Sequence, residues 1–336
     1  MPSNVKKAAD FIRNGGLVVF PTETVYGLGA DAFHSEAVAR VYSTKGRPGD
    51  NPLILHIADM QNFKYLAHEP PDYAFKFIEK YWPGPLTLVV KKNPSLPEWL
   101  GGQPKGKTET IGIRMPSHPV ALALIKESGR IIAAPSANKA GKPSPTTLAH
   151  VFEDFPKEEN EDIFFLDGGN SIVGLESTVI DVTGEHPIIL RPGAVIKENM
   201  QYLQGSRSET TTPRSPGMKY KHYAPQAEMT ILSGEHEKIA THINNLMQKA
   251  FSEKIKIGIL VHEHTLALLR NSYDNVMILS LGGDEETIAQ NLYSHLRKFD
   301  EMQVNKIYAE AIPESGLGVA IMDRMRKAAE GCMINV

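Results

Sequence analysis

The chain has 336 residues, 41% hydrophobic and 22% charged, with 36 basic against 39 acidic side chains and a formal net charge of -3. These proportions exclude disordered and collagenous chains, suit about two packed domains, and leave any polyanion to be met by a local pocket. Its apolar runs fall far short of the ~20 residues that cross a bilayer, and one cysteine, Cys332, forms neither an internal disulfide nor a thiolate zinc site; a cytoplasmic protein without a membrane partner is expected.

The opening MPSNVKKAADFIRNGG reads as an amphipathic helix with Val5, Ala8, Ala9 and Ile12 on one face, where a signal peptide would need an apolar core. From Leu17 to about Arg191, β-rich runs occur at 17–20, 52–57, 85–90, 110–115, 130–134, 162–166, 177–182 and 187–190. Helices are expected at about 4–13, 36–44, 71–80 and 118–128. Some of these strands follow one another directly, so the first domain is expected to be α/β with a twisted, mixed sheet. Between Pro192 and Pro225 aliphatic periodicity fades and prolines recur at 213, 216 and 225, the texture of a linker or lid. A cover over 213–225, hinged at Gly217, is expected to fold over the mouth of a pocket. Beyond it, the runs EMTIL, KIGILV, VMILS and KIYAEA alternate with helices at 235–250, 284–299 and 316–330 and a short one between the second and third runs. This is the pattern of a smaller Rossmann-like parallel sheet. The expected division is a catalytic domain over 1–200, a linker or lid over 201–226 and a C-terminal α/β domain over 227–336.

Several familiar patterns fail in context. GGQPKGKT (101–108) satisfies the P-loop spacing, which would put Lys107 on phosphates, but a loop precedes it and a strand follows it, the reverse of what a P-loop needs. The dinucleotide fingerprint GxGxxG follows no strand, and no GxSxG elbow is present. His262 and His264 lack a third ligand nearby in sequence, so exposed turn histidines are expected there.

Polar residues at strand ends carry what remains. In PTETVYGLGAD (21–31), Thr22, Thr24, Gly27 and Gly29 would let a ligand approach the backbone. STKGRPGDNPLILHI (43–57) sets Lys45 and Arg47 in a stiff turn, which suits a triphosphate or an ordinary solvated loop. His56 alternates with apolar neighbours and reads equally as a half-buried core histidine. Arg114, ending TIGIRM, would grip a carboxylate or pair with a neighbouring acid. IIAAPSANKAGKPSPT (131–146) follows a strand with Ser136, Asn138, Lys139, Lys142 and Ser144, while Ser177, Thr178 and Arg191 stand at further strand boundaries. Several such edges converging would build an anion pocket.

Taken together, PTETVYGLGAD, KGRPGDNPLILHI, TIGIRMPSHP, APSANKAGKPSPT, GLESTVIDV and LRPGA resemble the YrdC/Sua5 family of threonylcarbamoyl-AMP synthases. The linker SPGMKYKHYAP and the C-terminal α/β unit resemble the two-domain Sua5 form, so the resemblance implies a YrdC-like domain followed by a Sua5 domain. It implies a nucleotidyltransferase that makes L-threonylcarbamoyladenylate from L-threonine, bicarbonate and ATP, for t6A modification at position 37 of tRNAs reading ANN codons. Positions matching Arg47, Asn51, Thr110, Ser136, Ser144, Arg191 and Tyr223 would serve ATP. Those matching Thr24, His56, Arg114, Ala134 and Ser177 would surround threonine, and Lys45 with Asn138 completes the KxR and SxN signature on the ATP side. Lys45 and Arg47 would act electrostatically, with no covalent nucleophile, and magnesium would be bound mainly through the ATP phosphates. The tRNA or the t6A transferase machinery is a further expected partner. Two rivals bear on the same residues: an RNA-binding module of the same fold without turnover, and a carbamoyl-adenylate former of hydrogenase maturation. Near-neutral charge disfavours the first, and the length and single cysteine of the chain disfavour the second.

Overall fold

The computed structural model describes residues 3–195, 223–270 and 272–336. The chain divides into two compact units, Met1–Ala140 with Ser144–Tyr220, and Gly141–Pro143 with Lys221–Val336. Of the expected linker or lid over 201–226 and the cover over 213–225, residues up to 222, with the hinge at Gly217, lie outside the described residues.

The first unit runs α1 (Ser3–Arg13), β1 (Leu17–Phe20), β2 (Gly27–Asp31), α2 (Ser35–Lys45), β3 (Ile54–His56), α3 (Met60–Leu66), α4 (Asp72–Tyr81), β4 (Leu86–Lys91) and β5 (Thr110–Arg114). It continues with α5 (Pro119–Ser128), β6 (Ile132–Ala134), α6 (Leu148–Asp154), β7 (Ile163–Phe165), β8 (Thr178–Asp181) and β9 (Ile188–Arg191). Local chemistry sets the helix ends. The α2 N-cap His34 accepts from the Ala37 N–H, and Gly46 ends the helix in the left-handed region at φ +65°. His118 caps α5 with Pro119 in its first turn, and Gly129 closes it at φ +63°.

The strands form one mixed nine-stranded sheet in the order β7-β1-β2-β6-β3-β5-β4-β8-β9, as the directly consecutive strands lead one to expect. One face is apolar along its length: Val19, Leu28, Leu55, Ile111, Ile113, Leu88 and Ile180 pack there with Val41 of α2, Phe63 of α3 and Ile78 of α4. The other face is divided. Around β1 and β6, Val18, Phe20, Ile132 and Ala134 join Val5 and Ile12 of α1 and Leu124 of α5 in a second cluster. On β3, β5, β4 and β8 the residues of that face alternate with those in the first cluster, and Ile54, His56, Gly112, Arg114, Thr87, Val89, Val179 and Asp181 lie outside both clusters. The half-face without a place in either apolar cluster is therefore where polar side chains can be held.

In this first unit β2, α3 and α6 depart from the sequence expectation. β2 covers a segment expected to be loop, and α3 and α6, each of 7 residues, were not anticipated. The glycines of β2 have a packing role: a Cβ on Gly29 would stand 2.6 Å from Ile132 Cγ2 and 2.8 Å from the Phe20 ring, and one on Gly27 would stand 3.1 Å from that ring.

The second unit carries β10 (Glu228–Ser233), α7 (His236–Glu253), β11 (Ile257–His262), α8 (Glu263–Leu268), β12 (Val276–Gly282), α9 (Glu285–Glu301), β13 (Lys306–Glu310), α10 (Gly318–Ala328) and β14 (Met333–Asn335). Its five strands pair in parallel in the order β12-β11-β13-β10-β14. The expected Rossmann-like sheet thus gains a fifth, C-terminal strand. Leu232, Ile239, Ile243, Met247 and Ile259 form a core of its own.

Candidate active site

Strand register assembles the site. His56 pairs with Ile132 and with Arg114, Arg114 with Thr87, Thr87 with Val179, and Val179 with Arg191. Paired residues project from the same side of a sheet, so a single cross-strand row carries His56, Arg114, Thr87 and Arg191 along the divided face. The next row carries Ala134, Ile54, Gly112, Val89 and Asp181. Thr110 opens β5 and Arg114 closes it, which separates them by about 13 Å along the strand. Thr110 lines a groove of about 660 Å³ with Lys91, Lys92, Thr108 and Thr183.

At the Arg114 end the charges are already paired. The guanidinium donates from Nη2 to Glu23 Oε1 at 2.6 Å, from Nη1 to Thr24 Oγ1 at 2.9 Å and from Nε to the Gly84 carbonyl at 3.3 Å. Arg114 and Glu23 are 4% and 3% exposed. Of the two readings of Arg114 left open by the sequence, pairing with an acid is what the structure contains, yet three bonds use three of five N–H donors and each terminal nitrogen retains one. Burial pushes the Glu23 carboxyl up, but the charge and hydrogen bond of Arg114, helped by the backbone N–H groups of Glu23 and Ser117, more than offset it and hold the group below its ordinary value. His56 is buried beside them, its ring edge-on to Phe20 at 5.8 Å. Burial first, then the Arg114 charge, lowers its pKa to about 3, so the imidazole is neutral at physiological pH. With Nδ1 3.1 Å from the Ile54 carbonyl, that nitrogen is the donor.

The KxR and SxN segments meet. Lys45, last in α2, donates to the Ser136 carbonyl at 2.5 Å, to the Asn138 carbonyl, and at 3.4 Å to Asn138 Oδ1. Ser136 Oγ donates to Asn138 Oδ1 at 2.5 Å. Lys45 thus staples the loop after β6. Arg47 turns back onto its own segment, donating to the carbonyls of Asn51 (3.0 Å) and Pro52 (2.7 Å). Asn51 is 2% exposed, and both polar atoms of its amide are buried without a hydrogen-bond partner. An unsatisfied buried amide is costly enough to point to a missing partner.

Ser144 Oγ donates to Glu176 Oε1 at 2.5 Å. Ser177 Oγ lies 2.8 Å from Thr87 Oγ1, and Arg191 bonds Ser177 through its carbonyl at 3.0 Å and its hydroxyl at 3.2 Å. Tyr223 belongs to the second unit, where its ring stacks on Tyr293 at 5.5 Å and Arg324 lies 5.3 Å from its centroid.

Glu23, Glu176 and Thr87 join the site without being among the residues expected from the sequence. The first two stand inside quoted motifs, and an acid isolated among small residues at a strand boundary was the available signal. The P-loop spacing proves accidental: residues 101–108 form turns, Lys107 pairs with Glu98 at 3.1 Å, and Thr108 Oγ1 donates to the Leu100 carbonyl. His262 and His264 do gain a neighbour, since the His236 ring lies 5.6–5.7 Å from theirs and its Nδ1 is 2.7 Å from buried Glu310. Among the described residues no group of three or more acidic, histidine or cysteine side chains is arranged to hold a metal ion.

Two family models match the chain: one described as telomere recombination (Sua5_yciO_yrdC) over residues 10–193, and the threonylcarbamoyl-AMP synthase C-terminal domain over 188–330. The chain is 43% identical over 340 residues to a threonylcarbamoyl-AMP synthase of Pyrococcus abyssi, covering 99% of this chain and 96% of that one. It is 42% identical to one of Bacillus subtilis, covering 98% and 94%. The crystal structure of P. abyssi Sua5 complexed with L-threonine superposes with a TM-score of 0.88 at 43% identity, covering 99% of this chain and 96% of that one.

Proposed function

The chain belongs to the threonylcarbamoyl-AMP synthase family in its two-domain form, and we propose on that premise that it condenses L-threonine, bicarbonate and ATP to L-threonylcarbamoyl-AMP with release of pyrophosphate and water. The observation that carries this reading is the cross-strand row that sets His56, Arg114 and Arg191 on one face of one sheet. The product supplies the t6A modification of tRNA, which makes tRNA or its modifying machinery the downstream partner.

Threonine lies at the Arg114 end. Its carboxylate takes the two N–H groups that Arg114 retains, a charge-assisted contact, and Thr24, neutral His56, Ala134 and Ser177 enclose the remainder. ATP lies towards Thr110, with Arg47, Asn51, Ser136, Asn138, Ser144 and Arg191 as its partners. The orphaned amide of Asn51 fits a nucleotide ligand, and the ~13 Å span of β5 is of the length needed to lay nucleotide and amino acid head to head.

The threonine amine and bicarbonate give a carbamate with loss of water. A carbamate oxygen then attacks the α-phosphorus, and pyrophosphate carries off the electron pair of the cleaved P–O bond. No side chain bonds covalently to substrate, so the residues act by alignment and by charge. Lys45 contributes its charge from behind the Ser136–Asn138 loop, while Arg47 and Arg191 offset negative charge on the phosphates. The donor set fits magnesium carried in on the nucleotide: one hydroxyl and one carboxylate stand together in the Ser144–Glu176 pair. When bound, that ion would neutralise charge on the leaving pyrophosphate.

Pyrophosphate release from ATP, measured with threonine and bicarbonate omitted in turn, tests the reading. The expected outcome is dependence on both; release that ignores either would overturn it.

A further inference from the structure

Glu23 has no part in the reading above, although it is among the most deeply placed charges of the first unit. It precedes Thr24 in the turn between β1 and β2, and its Oε1 takes the shortest of the three bonds that Arg114 makes. Glu23 and Arg114 lie 91 residues apart in sequence. Burying a lone guanidinium is costly, and leaving a buried charge unpaired is among the more damaging changes a protein can suffer. The carboxylate therefore does two things for Arg114: it keeps the cation tolerable where water is scarce, and it holds the plane of the guanidinium. Thr24 Oγ1 and the Gly84 carbonyl complete that hold from two other directions.

We propose that Glu23 is a positioning residue for the amino-acid carboxylate: it orients Arg114 so that the remaining N–H on each terminal nitrogen meets that carboxylate, without itself touching the substrate. The inference rests on the assignment of threonine to the Arg114 end. The surroundings favour a fixed charge: His56 and His118 are the other ionisable groups facing Glu23, and burial lowers the pKa of both, so both are neutral near pH 7. Among the described residues, Glu23 and Arg114 are the charged groups that act on His56 here. A zwitterionic amino acid adds no net charge to them and fills the retained N–H donors, which a ligand lacking its carboxylate leaves unsatisfied.

The test compares binding of L-threonine and of L-threoninamide, which lacks the carboxylate charge, to the full chain by titration calorimetry. Wild type is expected to prefer threonine strongly. Glu23→Gln, which keeps size and an acceptor oxygen but removes the charge, is expected to lower threonine affinity about tenfold and threoninamide affinity by less than about twofold. Glu23→Asp, which restores the charge, is expected to recover threonine preference to within about threefold of wild type, and it keeps the proposal testable should the glutamine variant fail to fold. Equal loss of both ligands in either variant would reduce Glu23 to a structural role and overturn the proposal. An unchanged preference in Glu23→Gln would do the same. A wild-type chain that binds neither ligand would overturn the threonine assignment itself, and this inference with it.

Discussion

Lys45 ends α2 with its ammonium on three oxygens of the Ser136–Asn138 loop, so removing it disturbs a loop as well as a charge. Lys45→Met keeps the aliphatic stem and leaves buried carbonyls unpaired, a loss of about 1–3 kcal/mol. It is expected to weaken ATP binding by more than about tenfold while threonine binding stays within about threefold, each measured by calorimetry; unchanged ATP affinity would remove this loop from the nucleotide site. At this scale the sequence shows residue types but not where they point. Lys45 and Arg47 were legible as cations in a stiff turn, yet both spend donors on backbone carbonyls. Glu23 is not marked by its own segment, since nothing local in PTETV tells that its acid meets an arginine far along the chain.

At the level of elements, β8 and β9 carry two expected ligands, Ser177 beside one and Arg191 ending the other, and Gly193 is what lets the chain after β9 lie against the start of β8. A Cβ there would stand 2.3 Å from the Thr178 nitrogen and 2.4 Å from the Glu176 carbonyl oxygen. Because those are backbone atoms, Gly193→Ala must push the segments apart and pull Arg191 from Ser177. The expected result is a melting temperature lower by several degrees together with weakened ATP binding, read by thermal denaturation and calorimetry. An alanine variant with wild-type values for both would show that the contact yields freely. Elements with a strong period were legible: the observed α1, α2, α4, α5 and most strands agree with expectation within about two residues. The exceptions have physical causes. β2 is built on GLGAD, poor in strand-forming residues, and pairs because Phe20 and Ile132 occupy the space its glycines leave. Helices α3 and α6 span about two turns each, too short for a periodic signal to stand out.

Over the whole molecule, buried ionisable groups couple stability to pH. His56 has a folded pKa of about 3 against 6.5 for the free side chain. Between those values the unfolded chain binds a proton that the folded chain does not, so stability rises with pH across this window and is lost as pH falls below about 6.5. The slope from one such group reaches about 1.4 kcal/mol per pH unit. Denaturant titrations at pH 7.5 and pH 5 are expected to show a less stable protein at pH 5, with a smaller difference in His56→Gln. A difference as large as wild type would mean that the imidazole titrates normally. His118, also lowered by burial, acts in the same direction in both proteins and cancels in the comparison. Glu23 enters only below about pH 4.5, where protonation of the unfolded chain begins to draw on its depressed folded value.

What the amino-acid order determined alone was the part governed by near neighbours: two α/β units, most of their helices and strands, the loops rich in hydroxyls and cations, and the family motifs themselves. Only the tertiary structure decided that His56, Arg114 and Arg191 share one row, that Glu23 holds Arg114 across 91 residues, and that Ser177 meets Thr87 across 90. Periodicity and capping depend on residues within a turn or two of one another. Strand register and the pairing of buried charges depend on which distant segments the two apolar clusters bring together, and a one-residue shift in register would have turned the same side chains to the opposite face.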